Sequence, residues 1–200
     1  MQKKWLYMTA TSLTLLSLSI ADTVAAMSIP YGWYVEGNIG TSNTSNDNYP
    51  SGTSTSTSGV GWNANVGYKF MPYFAAEAGY TRYSDTTIKS NGGTIATDKH
   101  YAFDLAGKGI VPISDSPVEL FAKLGIQNLY SKTSISNSTA ANSVGLSSGT
   151  NNTFGAYLGT GVQYSFTPAF GANLQWMRAV GDDSTGTMSL LSIGISYFVA

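Results

Sequence analysis

From Val60 onward the chain alternates large apolar side chains with small or polar ones. Val60, Trp62, Ala64, Val66, Tyr68 and Phe70 share one parity, and Gly61, Asn63, Asn65, Gly67 and Lys69 hold the other. A period of two is the signature of a strand with unlike faces. After Met71, Pro72 and Tyr73 the pattern resumes, with Phe74, Ala76, Ala78 and Tyr80 set against Ala75, Glu77, Gly79 and Thr81. Proline cannot donate to a ladder, so Pro72 marks the turn of a hairpin. The unit returns 96 positions on, where Tyr164, Phe166, Pro168, Phe170, Ala172, Leu174 and Trp176 match Tyr68, Phe70, Pro72, Phe74, Ala76, Ala78 and Tyr80 in register.

The same alternation predicts a strand over 31–40, where Trp33, Val35 and Ile39 oppose Tyr34, Glu36 and Asn38. It predicts another over 99–111, with Tyr101, Phe103 and Leu105 against Ala102, Asp104, Ala106 and Lys108. Over 118–129 it sets Leu120, Ala122, Leu124 and Ile126 against Phe121, Lys123, Gly125 and Gln127. Further strands are expected over 153–166, 169–178 and from Met188 to the end, which with the hairpin makes eight. The stretches 41–59, 84–98, 130–152 and 179–187 are dominated by small and polar residues and read as loops. Long loops therefore follow the first, third, fifth and seventh strands, and short turns follow the others. In an up-and-down meander this puts every long loop at one end. The expected fold is all-β, an eight-stranded antiparallel up-and-down transmembrane β-barrel, with strands of about 9–13 residues, long enough to cross hydrocarbon when tilted.

Which face looks outward follows from the polarity. A water-soluble barrel would carry its charges outside, yet here one face of nearly every strand is aliphatic or aromatic and the other holds Gly, Asn, Ser, Gln and a few charges. Small and polar residues suit the narrow interior of eight strands. Phe70, Phe74, Phe166, Phe170, Tyr80 and Trp176 fall near strand ends, where interfacial aromatic girdles belong. Charged residues make up 10% of the chain against about 25% in ordinary globular proteins. A net charge of −1 gives no electrostatic reason for a nucleic-acid partner, and the absence of cysteine removes thiol chemistry and cysteine-ligated zinc. Residues 1–26 have the anatomy of a signal peptide: Lys3 and Lys4, an apolar stretch, then Val24, Ala25 and Ala26 at the cleavage site. The expected organisation is a leader over 1–26 and a barrel over 27–200, exported to a bacterial outer membrane.

The segments GWYVEGNIG, GYKFMPYFAAEAGY, AKLGIQ and GTGVQYSFTPAFGANLQW resemble the OmpA-type outer-membrane β-barrel family, with the likeness running from Trp33 to Val199. That resemblance implies a surface barrel in the lipid of the outer membrane of a Gram-negative bacterium, inserted by the barrel-assembly machinery and monomeric. Gly194, Tyr197 and Val199 are similar to the carboxy-terminal signal this machinery reads, although Ile193 stands where a polar residue is usual and Ala200 where phenylalanine is. The peptidoglycan-binding domain of the longer relatives is not expected here.

Candidate chemistry is sparse. His100, the single histidine, has Asp98 and Asp104 on its face but lacks the His-x-Ser spacing of the barrel deacylases it resembles. Its ordinary reading is a polar rim residue. Gly107, Lys108 and Gly109 lie inside a strand and lack the spacing of a phosphate loop. Asp182 and Asp183 fall far short of a calcium shell. No catalytic, cofactor or metal residues are assigned. Strand parity instead turns Glu36, Glu77 and Asp104 inward together with Lys69, Lys108 and Lys123, three acids and three bases. With Phe70 paired to Phe74 across the turn, Gly67 faces Glu77 and Lys69 becomes a diagonal neighbour of Glu77, and such pairs would plug the lumen. The leading functional expectation is a non-enzymatic structural and surface-interaction protein, its loops over 41–59 and 130–152 carrying adhesion or host contact. The alternatives are a narrow small-solute pore and a lumen-bound ligand carrier or enzyme.

Overall fold

The computed structural model describes residues 31–45, 54–90, 93–113, 116–143, 147–182 and 185–199. The expected leader, Asp183 and Ala200 lie outside them. The described strands are β1 (Gly32–Ser45), β2 (Ser54–Ser56), β3 (Ser58–Met71), β4 (Phe74–Arg82), β5 (Thr86–Ser90), β6 (Gly93–Pro112), β7 (Val118–Ile135), β8 (Gly149–Ser165), β9 (Phe170–Ala179) and β10 (Thr187–Phe198). One short helix, α1 (Ser138–Ser143), follows β7. Every strand pairs antiparallel to its neighbours, and β1, β3, β4, β6, β7, β8, β9 and β10 close a ring of eight in which β10 returns to β1. The fold is the up-and-down barrel that the alternation requires.

Three expected boundaries change. The stretch taken as a loop over 41–59 carries the end of β1, all of β2 and the start of β3. That over 84–98 carries β5 and the start of β6, and that over 130–152 the end of β7, α1 and the start of β8. These extensions are rich in Ser, Thr and Asn on both faces, because above the hydrocarbon nothing requires an apolar outer face. The alternation fades there while the backbone ladder continues. The hairpin turn also differs: a bulge between Lys69 and Met71 pairs Met71 with Phe74, although Gly67 does face Glu77.

The wall is therefore lopsided. β6, β7 and β8 run for 20, 18 and 17 residues, against 9 in β4 and 10 in β9. At about 3.3 Å per residue the tall strands exceed what an apolar band of about 25 Å demands, so they project beyond it at the long-loop end. There β5 and β2 widen the sheet, and Ile88, Ile95 and Ala96 form a small separate core with Ala140 of α1 against it. Asn137 caps that helix, its Oδ1 accepting from the Ala140 N–H at 3.1 Å.

Outward positions are apolar and exposed across the band: Val35 and Ile39 on β1, Leu105 on β6, Leu124 and Ile126 on β7, Ile193 and Ile195 on β10. Aromatic pairs border it, with Trp33–Tyr68, Tyr164–Phe166 and Phe170–Tyr197 at the short-turn side and Trp62–Tyr80 and Tyr101–Tyr130 at the other.

The interior departs from the expectation of small and polar filling. It is layered. Tyr34, Ala75, Ile110, Phe121 and Phe198 form an apolar floor toward the short turns. Tyr83, Leu129, Tyr157, Met177, Met188 and Leu190 form an apolar ceiling with Ala102, Ala106 and Ala179. Charged and amide side chains lie between.

Closure of β1 on β10 depends on Gly194. A Cβ there would stand 2.4 Å from the Gly37 carbonyl oxygen and closer still to the Asn38 side chain. Gly194→Ala is expected to cost about 2 kcal/mol through overpacking and to lower the temperature at which the folded gel band is lost by about 5 °C. Gly37→Ala, whose Cβ would meet nothing within 4 Å, should leave that temperature unchanged.

Candidate functional site

Parity aims Glu36 (β1), Glu77 (β4), Lys108 (β6) and Lys123 (β7) at one point in the lumen, and all four are no more than 3% exposed. Lys123 Nζ lies 2.6 Å from Glu77 Oε2 and 3.3 Å from Glu36 Oε1. Lys108 Nζ lies 3.1 Å from Glu77 Oε1 and 3.6 Å from Glu36 Oε2. Each ammonium thus sits between two carboxylates in a closed, neutral ring of four charges. Lys108 and Lys123 are directly opposite on paired strands, which would be repulsive without the two carboxylates.

Amides and an aromatic floor complete the shell. Glu36 Oε1 accepts from Asn38, Asn65 and Gln175 at 3.0, 3.2 and 3.1 Å. Asn63 donates 2.8 Å to Thr81 and exchanges hydrogen bonds with Asn65. Tyr34 Oη donates to Glu77 Oε1 at 2.5 Å. It can do so because Gly67, between them on β3, has no side chain: a Cβ there would fall 2.3 Å from the Tyr34 ring. Lys108 Nζ is also 4.4 Å from the centre of the Phe121 ring and 5.3 Å from that of Tyr34, so the charges rest on aromatic faces.

Two of the six expected lumen charges behave differently. Lys69 does not reach Glu77; its Nζ pairs at 3.0 Å with Glu119 at the start of β7. The expectation considered only neighbouring strands, whereas side chains in a narrow barrel meet across the lumen. Glu119 was detectable, since it shares the parity of Phe121 and Lys123. Asp104 lies opposite Gln127 and Gly79, with no cation within 4 Å among the described residues. Its Oδ2 and Gln127 Oε1 have no hydrogen-bond partner.

His100 is 1% exposed, its Nε2 lying 3.2 Å from Thr86 Oγ1. Ser131 is directly opposite, but His100 Nδ1 has no partner, so no carboxylate orients the ring. The arrangement is not a catalytic triad. Gly194 faces inward on β10, while Tyr197 and Val199 face outward, and Val199 N–H donates 2.8 Å to the Trp33 carbonyl oxygen.

The family model described as the outer membrane protein beta-barrel domain matches residues 10–197. The chain belongs to this outer-membrane barrel family. A search of the curated proteins finds no match. Among solved structures the barrel is similar to Ail, the attachment invasion locus protein of Yersinia pestis, in complex with the heparin analogue sucrose octasulfate. That match has 17% identity and a TM-score of 0.55 and covers 84% of this chain and 99% of that one. It is also similar to Neisserial surface protein A, at 20% identity and TM-score 0.54 over 83% and 96% of the two chains. OprG of Pseudomonas aeruginosa gives 13% identity and TM-score 0.60 over 86% and 99%. At these identities the likeness is one of fold, and with the family it places the chain in a bacterial outer membrane.

The Lys69–Glu119 contact is testable. Lys69→Met should cost about 3–5 kcal/mol by stranding the Glu119 carboxylate, and adding Glu119→Gln should recover much of that. Lys69→Met and Glu77→Gln, which share no contact, should instead give losses that add to within about 0.5 kcal/mol. Urea unfolding in liposomes, followed by tryptophan fluorescence, measures both cycles.

Proposed function

We propose that this outer-membrane barrel is a closed, non-enzymatic anchor that holds an ordered polar platform at the cell surface for contact with an extracellular ligand or host surface. The layered lumen carries the reading. An apolar floor, a neutral ring of four charges and an apolar ceiling follow one another along the axis, which disfavours the narrow-pore alternative. The tall wall of β6, β7 and β8, widened by β5 and β2 and backed by α1, is material that anchoring alone does not need. Ail, a barrel of the same fold, was crystallised with a sulfated sugar analogue, and by analogy the platform here meets a carbohydrate-bearing surface.

In this reading residues 1–26 direct export and are removed, so the protein recovered from the membrane begins at Met27 by N-terminal sequencing. The barrel-assembly machinery inserts the chain as a monomer through the β10 end, with Gly194, Tyr197 and Val199 as the signal. The long-loop end faces outward.

Two measurements test the functional reading together. In planar bilayers the protein should give no stepwise conductance; reproducible single-channel steps would restore the pore. Whole cells displaying the barrel should bind immobilised heparin or extracellular matrix. Replacing 137–147 by a short turn, which removes α1 while leaving the paired strands, should reduce that binding several-fold. Binding unchanged by this replacement would remove the platform from the reading.

A further inference from the structure

Two lysine pairs stand directly opposed across β6 and β7. Lys108 and Lys123 point into the lumen, where Glu36 and Glu77 neutralise them at 2.6–3.6 Å. Lys99 and Lys132 form the second pair, outward and exposed at the long-loop end. Residues opposed on antiparallel strands have Cβ atoms about 4.5–5.5 Å apart, and like charges so placed repel. Yet among the described residues no carboxylate lies within 4 Å of either lysine: the nearby acid on the outer face, Asp85, is taken by Arg82, and Asp98 points inward. The inner pair shows what the constellation requires, which is two negative charges between the ammonium groups.

The surroundings indicate where those charges come from. The next outward pair toward the band is Tyr101 and Tyr130, stacked with ring centres 5.0 Å apart and planes 6° from parallel. The Tyr130 hydroxyl is fixed by Asn128, whose amide donates to it at 3.0 Å. Beyond them come Phe103, with Asn128 opposite, and then Leu105 opposite Ile126, so the exposed apolar side chains begin one step below the rings. Tyrosine rings of this kind sit at the depth of lipid headgroups. The lysine pair is thus one step above the headgroup-level rings, on the lipid-facing side of the wall.

We propose that Lys99 and Lys132 clamp the headgroup phosphate of a lipid in the outer leaflet, with Tyr101 and Tyr130 as the floor of the site. A phosphate monoester carries about −1.5 to −2 charges at neutral pH and three acceptor oxygens, which matches two ammonium groups better than a diester does. The lipid fills on the outside the role that Glu36 and Glu77 fill inside, cancelling the repulsion between facing lysines. It ties the tall wall to the leaflet at the base of the platform. The site rests on the outer-membrane placement and on the long-loop end lying in the outer leaflet, but not on what the loops bind.

The test uses the full barrel in phosphatidylcholine nanodiscs doped with phosphatidic acid, whose headgroup is a phosphate monoester, and counts retained lipid by native mass spectrometry. The native protein should retain phosphatidic acid over phosphatidylcholine. The Lys99→Gln/Lys132→Gln variant should lose that preference by about tenfold or more, as expected for two lysines at a charged interface. Lys89→Gln, at an exposed lysine on β5 opposed by Ser54 and Thr94 and by no second lysine, should keep it. Lys99→Glu supplies an acid opposite Lys132; it should abolish retention and, in zwitterionic detergent, make the folded band more heat-resistant than that of the native protein. Equal retention by native and double-glutamine proteins overturns the proposal, as does an equal loss in Lys89→Gln. Inorganic phosphate displacing the lipid at matched concentration would mean a free-anion site. Loss of heparin binding with lipid retention intact would assign the lysines to a sulfated glycan. The variant lacking 137–147 should still retain the lipid, so failure of the platform reading and failure of the clamp give different results.

Discussion

Hydrocarbon offers no partner for a backbone N–H or C=O, so a sheet that crosses it must have no edge. The ring satisfies this through one long-range closure, β1 on β10, while every other pair in it joins strands that follow one another around the ring. Once the ring is closed, alternation becomes obligatory within the band, one face meeting lipid and the other the lumen. Ile39, Leu105 and Ile195 lie outside and Glu36, Asp104 and Ser196 inside for the same reason. With eight strands the inner space is narrow enough that side chains fill it. The charge ring, the aromatic floor and the apolar ceiling all follow from that confinement.

The sequence made the band legible and the space beyond it much less so. Between Val60 and Arg82 the strand residues answer to lipid on one side and to lumen on the other, and strands and facing direction could be read, though not the bulge at the turn. Above the band Ser42, Thr44, Thr86 and Ser131 are buried on paired strands, but the residues that alternate with them, Asn43, Ser45, Thr87 and Lys132, are polar as well, so the alternation carries no contrast in polarity. The ladder there is invisible to a reading based on hydrophobicity. The lumen shows a related limit. Parity identifies which side chains point inward, as with Glu36, Glu77, Lys108 and Lys123, but partners across a tilted ring depend on strand stagger. Lys69 therefore meets Glu119 from the far wall, and Asp104 faces Gln127 where an ammonium was expected.

The apolar ceiling also escaped the sequence reading, for a different reason. Met177, Met188, Leu190 and Leu129 share the parity of Asn173, Ser192 and Gln127, so the inner faces of β7, β9 and β10 change character along their length. Near the loops the lumen is filled by apolar packing, and at the midpoint by paired charge. The first is apolar throughout; in the second the four charges pair with one another, while Asn38 Oδ1 and Gln175 Oε1 beside them have no hydrogen-bond partner.

The four-charge ring also constrains how the barrel can assemble. Its members come from β1, β4, β6 and β7, so Glu36 meets Lys123 only after β1 has been brought to the opposite wall. A flat sheet that inserted strand by strand in chain order would carry Glu36 and Glu77, and later Lys108 and Lys123, toward hydrocarbon before curling brought β1 and β7 face to face. Unpaired charges at mid-membrane cost about 2.5–3.5 kcal/mol each even on lenient scales. The network that quiets the finished lumen thus penalises half-built sheets, and it favours a route in which curling and insertion advance together.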